Sequence, residues 1–187
     1  MTSFKRALRR FRDDESGLIM AEFVITLPML IWVFMALFAY WDIFRSMNTV
    51  QKAAYSVSDL ISRQNNDVPV AFIDGMQTVM EYLLPTTLTS QMRFTSVKWS
   101  VTNNRFEVIW SRSPGGAMTP LTTDTLQPLA PKIPMMAATD TVVIVEASVP
   151  YTPVFNVGLA SNYTLDEFIV TRPRFLTKIC LQGLPCT

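Results

Sequence analysis

The chain has 187 residues, room for one domain of ordinary size beside a membrane segment, and its 16 basic and 15 acidic side chains nearly cancel. It has no histidine and two cysteines, Cys180 and Cys186, which excludes His-based catalytic triads and leaves too few soft ligands for a structural zinc site. Five bases, Lys5, Arg6, Arg9, Arg10 and Arg12, crowd into residues 1–17, and the remainder holds 11 basic and 12 acidic residues, without the field that nucleic-acid binding draws on. No metal, cofactor or nucleic-acid partner is expected.

In chain order, the first predicted element is a membrane helix. From Leu18 to Trp41 the only charged side chain is Glu22, and Phe23–Trp41 is a run of 19 residues without a charge. As a helix that run rises about 28 Å, close to the ~30 Å hydrocarbon core of a bilayer. Tyr40 and Trp41 fall at its far end, where amphipathic rings favour the headgroup zone. The basic leader stays cytoplasmic, so the C-terminal bulk is expected on the exported side. A conventional signal peptide has a shorter apolar region followed by a small-residue cleavage site, and this pattern does not fit it.

The junction reads RRFRDDESG followed by LIMAEFVITLPML, so Gly17 directly precedes the apolar run, Glu22 is the fifth residue after it, and Phe23 follows. A carboxylate inside a membrane costs several kcal/mol unless it is paired. A cut after Gly17 would give Leu18 an α-amino group about one helical turn from Glu22, in the same chain or a neighbour. Pro28 lacks an amide donor and kinks a helix, although membrane helices also tolerate proline.

This constellation resembles prepilin-type proteins and, more narrowly, the TadE-like pseudopilins of the tight-adherence (Flp) pilus system. The resemblance rests on Gly17, Glu22, Phe23 and Pro28, on the chain length, and on a later strand-like stretch ending in VPYTPVF; its motif residues lie within the first 41 positions. It implies cleavage between Gly17 and Leu18 by a prepilin peptidase, and roles for Glu22 and Phe23 in processing and assembly. It also implies anchoring in a bacterial inner membrane, and partnership with other pilin or pseudopilin subunits and the assembly machinery. On this reading the chain is an enzyme's substrate and not an enzyme. The alternative is an uncleaved signal anchor, with Glu22 at the cytoplasmic interface, displaying a periplasmic or surface binding module whose candidate surface is 113–139. An exported enzyme has least support, since nothing in the sequence pairs Asp124, Asp140 or Glu146 with another carboxylate.

Crossing from the bilayer into water, Ala36, Tyr40, Ile43, Met47, Val50, Ala54, Val57 and Ile61 recur at alternating intervals of 4 and 3, a heptad-like seam. It predicts a helix over about 18–64, on the order of 70 Å long, whose outer part packs on its own domain, on neighbouring subunits, or on both. The expected divisions are 1–17 leader, 18–41 membrane segment, 42–66 exported helix and 67–187 globular domain. Polar residues 62–67 break the helix; Pro69 and the stripe Val70, Ile73, Met76, Met80 and Leu83 predict a short second one, ended by Pro85.

The period then changes to two. Val97, Trp99 and Val101, then Phe106, Val108 and Trp110, predict a hairpin turning at Asn103-Asn104, with both tryptophans on one face. Residues 113–139 read as a long Pro- and Thr-rich loop with a helical turn near 135–138. Val143, Val145, Ala147, Val149 and Tyr151 mark the strongest strand, and 168–180 a final one, with Pro173 favouring an edge. The fold class is therefore α+β, a long N-terminal helix on a small antiparallel sheet, a pilin-like layout. Cys180 and Cys186 enclose a short loop, a disulfide if exported and two thiols if cytoplasmic. Asn162-Tyr163-Thr164 matches a glycosylation pattern by chance.

Overall fold

The computed structural model describes residues 9–12, 16–138, 140–155, 157–158 and 162–186, with the backbone alone at 16 and 18. Residues 9–12 are helical. Helix α1 (Ser16–Ser62) is followed by α2 (Val70–Leu83), strands β1 (Gln91–Ser100) and β2 (Arg105–Arg112), the four-residue helix α3 (Thr123–Leu126), and strands β3 (Thr141–Tyr151) and β4 (Tyr163–Thr171). Two 3-10 turns, Pro114–Gly116 and Gln127–Lys132, flank α3. The fold is α+β, and the four strands among the described residues form one antiparallel sheet in the order β2-β1-β3-β4. The chain divides into two compact units, Met1–Asp42 with Pro153–Ala160, and Ile43–Thr152 with Ser161–Thr187.

In the second unit, α1 buries one face. Val50, Ala53, Ala54, Val57 and Ile61 are nearly or wholly inaccessible, and they pack with Ile73, Met76 and Met80 of α2 on one face of the sheet. That face is made of Met92, Phe94, Trp110, Val143, Val145, Ala147, Val149, Tyr151, Leu165 and Ile169. The predicted β3 alternation accounts for five of these positions. In α2 the middle of the predicted stripe is buried, while Val70 and Leu83 at its ends are more than a third exposed. Val68 and Leu84, just outside the helix, take the buried places.

The helix end is built by contacts far apart in sequence. The Ser62 carbonyl, which no later turn can satisfy, accepts a bond from the Arg174 amide at 2.8 Å. Asp59 receives both Arg63 and Arg174 at 2.7 Å. These cations lie at the C-terminus of α1, where the helix dipole favours positive charge. Arg112 holds Asp74 through a fork of bonds between 2.8 and 3.1 Å, tying α2 to β2.

The hairpin departs from its sequence reading. A bulge between Ser96 and Val97 of β1 leaves Ile109 of β2 without a partner, since Ser96 pairs with Trp110 and Val97 with Val108. One extra residue reverses the phase of the alternation. Trp110 therefore enters the helix-side core, whereas Val97, Trp99, Phe106 and Val108 face the opposite side. The two tryptophans are on different faces. The turn occupies Val101–Asn104, and among the described non-glycine residues only Asn104 has positive φ, at 47°.

Residues 113–138 are a cover for the second face of the sheet. Leu121, Leu126 and Ile133 are buried against Val97, Phe106, Val142 and Ile144. The helical turns fall at 114–132, and residues 135–137 are not helical. Thr122 and Thr125 exchange side-chain-to-backbone bonds as a capping box for α3. Gly115 and Gly116 supply the positive φ, 62° and 69°, that folds the cover back after β2. Across this face, Arg93 grips Glu146 at 2.7 and 2.8 Å and also donates to the Thr119 carbonyl at 2.6 Å.

The final strand also begins earlier than its sequence suggests. β4 spans Tyr163–Thr171, ends before Pro173, and is an edge strand; residues 172–180 are irregular. Asp166 and Glu167 obscured its start, because an edge strand carries charge that a central one would not.

Candidate functional site

The first unit is dominated by the N-terminal part of α1. Between Ile19 and Trp41 the helix carries large apolar side chains outward, among them Phe23 at 58%, Ile25 at 72%, Leu30 at 59%, Phe34 at 71% and Leu37 at 64% exposure. Only 6% of the most apolar stretch is buried within the protein, unlike a core helix, whose apolar stripe is covered. The helix is long and apolar enough to cross a membrane. In water this surface would bear a large hydrophobic penalty; hydrocarbon removes it.

Gly17 and Leu18 lie in the first turn of α1; the Leu18 side chain is outside the described residues. Glu22 is exposed and four residues after Leu18, so helical periodicity places the two positions on one face, about 6 Å apart along the axis. Phe23 sits beside it. Pro28 lies inside α1 without ending it. Toward the end of the apolar stretch Phe38 meets Trp41 with ring centroids at 5.8 Å, and meets Phe155 at 5.8 Å in an edge-on arrangement. Phe155 belongs to the segment leaving β3, and no periodicity in the sequence connects it with α1.

The seam positions fall into two groups. Val50, Ala54, Val57 and Ile61 are fully buried. Ile43 is half-buried against the same core. Met47 is 44% exposed, and Ala53, off the drawn stripe, is 3% exposed.

Cys180 and Cys186 form a disulfide, with Cα atoms 5.6 Å apart. Its loop is fastened to the connection between the two long helices: the Val68 amide donates to the Cys180 carbonyl at 2.8 Å, and the Gln182 amide to the Val68 carbonyl at 2.9 Å. The Trp110 indole donates to the Ile179 carbonyl at 2.7 Å in a buried site. These contacts span up to 115 residues of sequence, as for Gln182 and the Asp67 carbonyl, and pairwise sequence signals do not reveal them.

Elsewhere, an apolar cavity of about 360 Å³ opens between Trp99 and Phe106 of the hairpin and Pro131, Ile133 and Met136 of the cover. The Trp99 and Phe106 rings meet edge-on at 4.9 Å. Glu107, at the hairpin end, is held below the usual carboxylate range, chiefly by the Asn103 side-chain bond and against the effect of desolvation, with Ser100, Lys98 and Arg105 assisting. Asp124 and Glu146 are each paired with arginines, as is Asp140. Among the described residues no group of three or more Cys, Asp or Glu is placed to hold a metal ion. The chain matches no family model, no curated protein and no solved structure.

Proposed function

We propose that the chain is a minor pilin or pseudopilin, similar to the TadE-like proteins of tight-adherence pili, anchored in a bacterial inner membrane and cut after Gly17 by a prepilin peptidase. The observation that carries this reading is α1 itself. One uninterrupted helix starts at the end of a basic leader, exposes an apolar surface with Glu22 as its only charge, and then buries its later turns in an α+β domain. A carboxylate within a membrane segment is costly unless it is paired, and a free amine at Leu18 would offset that cost. The Cys180–Cys186 disulfide accords with an exported domain, because such bonds persist in oxidising compartments.

In this role the chain performs no chemistry. The membrane segment holds the subunit until the peptidase releases the leader, and the freed helix then packs among other pilin or pseudopilin helices. N-terminal sequencing of the protein from cells with an active prepilin peptidase tests the proposal, the expected first residue being Leu18. A retained leader under those conditions instead supports an uncleaved signal anchor that displays the sheet domain as a binding module, a reading with which a long apolar N-terminal helix is also compatible.

A further inference from the structure

The two edges of the sheet are treated differently. On β2, the outward Val108 amide donates to the Thr123 hydroxyl at 3.2 Å, and the outward Phe106 carbonyl accepts from the Gln127 side-chain amide at 3.0 Å. The cover thus occupies that edge. On the other side, Pro150 of β3 has no N–H and stands opposite Thr164 of β4. With Val108 turned away from β1, the two-residue repeat carried through β1 and β3 turns the backbone groups of Thr164, Asp166, Phe168 and Val170 away from β3. Among the described residues, nothing hydrogen-bonds to these outward groups.

The edge has a definite charge. Glu167 stands opposite Ala147 and shares its face with the buried Leu165 and Ile169. Among the described residues its carboxylate has no hydrogen-bond or ion-pair partner, and burial pushes its pKa up. Asp166, on the other face, is held by Ser148 at 2.6 Å. A second copy cannot neutralise Glu167 by two-fold pairing of the same edge. Only odd-numbered positions share its face, so it would meet Glu167 itself or one of Tyr163, Leu165, Ile169 and Thr171. None of these is basic.

We propose that the β4 edge receives an antiparallel strand from a different polypeptide, bonded to the backbone of Thr164, Asp166, Phe168 and Val170 and carrying a lysine or arginine opposite Glu167. The strand supplies the backbone bonds that the edge lacks, and its cation compensates a partly buried carboxylate that is otherwise without a partner among the described residues. The inference rests on the sheet alone and stands whether or not the leader is cut.

The test uses the full chain in neutral detergent micelles and nine-residue peptides of alternating threonine and valine, with a central lysine or a central glutamate. The lysine peptide is expected to slow amide exchange at Thr164, Asp166, Phe168 and Val170, and to bind about tenfold more tightly than the glutamate peptide, the size of one well-placed charge pair. Glu167→Gln should narrow that difference while its melting temperature reports an intact fold, and N-methylation of the lysine peptide's bonding edge should abolish binding. Equal affinity for the two peptides, or no slowing of β4 exchange with the lysine peptide, overturns the proposal.

Discussion

Two carboxylates carry the sharpest consequences at the scale of single residues. Glu22 lies four residues after Leu18 on the apolar part of α1. If it pairs with the amine that cleavage creates, Glu22→Gln removes the pairing charge and leaves the hydrophobic anchor untouched. The expected outcome is unchanged recovery in the membrane fraction with impaired processing or fibre assembly, measured by the size of the mature protein and the yield of sheared fibres. Normal assembly would count against the pairing. Glu167 gives a prediction for the isolated protein. Its pKa is raised by burial, so the folded state holds this proton more tightly than the unfolded chain does. That contribution is fully present below the unfolded pKa and is lost as pH rises through the folded one. Glu167→Gln should therefore melt higher than the parent at pH 7 and alike at pH 3, read from thermal unfolding across pH. A lower melting temperature at neutral pH would indicate that the carboxylate is stabilising.

At the scale of elements, the bulge at Ile109 decides which side chains enter which core. Before it, Phe106 and Val108 face the cover; after it, Trp110 faces the helices. Inserting one residue between Ser96 and Val97 of β1 gives Ile109 a partner and restores regular pairing, which puts Val108 and Trp110 on one face and so turns either Trp110 or the Phe106–Val108 pair toward the wrong face. Loss of a buried large aromatic costs about 3–5 kcal/mol, so the insertion variant should lose cooperative unfolding and the near-ultraviolet signal of its tryptophans. Retention of both would mean that the register can slip at no cost. The bulge also explains why alternation misled at this hairpin: a period of two is read correctly on each side of it, but the inserted residue resembles any other β-branched strand position.

At the scale of the whole molecule, the C-terminal loop ties together parts of the chain far apart in sequence. It binds the connection between α1 and α2 through Val68, while Ile179 receives the Trp110 indole. The residues before it satisfy the end of α1 through Arg174. Closing the loop between Cys180 and Cys186 limits the unfolded chain, an effect worth about 2 kcal/mol for a ring this small. Replacing both cysteines with serine should lower stability by about that amount, with a shift in tryptophan fluorescence as the Trp110 environment loosens. An unchanged denaturation midpoint would show that the docking contacts suffice without the covalent link.

Local order in the sequence determined the helices and the strongest strand. The absence of charge from Phe23 to Trp41, the stripe ending at Ile61 and the alternation from Val143 to Tyr151 each reflect one buried or lipid-suited face, and a periodic burden of that kind is legible without knowing its partner. The disulfide was one of two open readings until the fold brought Cys180 and Cys186 together. What the tertiary structure alone decided was phase, pairing and covering: the bulge that separated Trp99 from Trp110, the start of β4 at Tyr163, and the folding of 113–138, read as loop, into the second face's cover. Those outcomes depend on which distant residues supply missing bonds and fill volume, as Arg174 does for Ser62 and Leu126 does over Phe106. A linear pattern records the need for burial at a position but not the identity of the group that meets it.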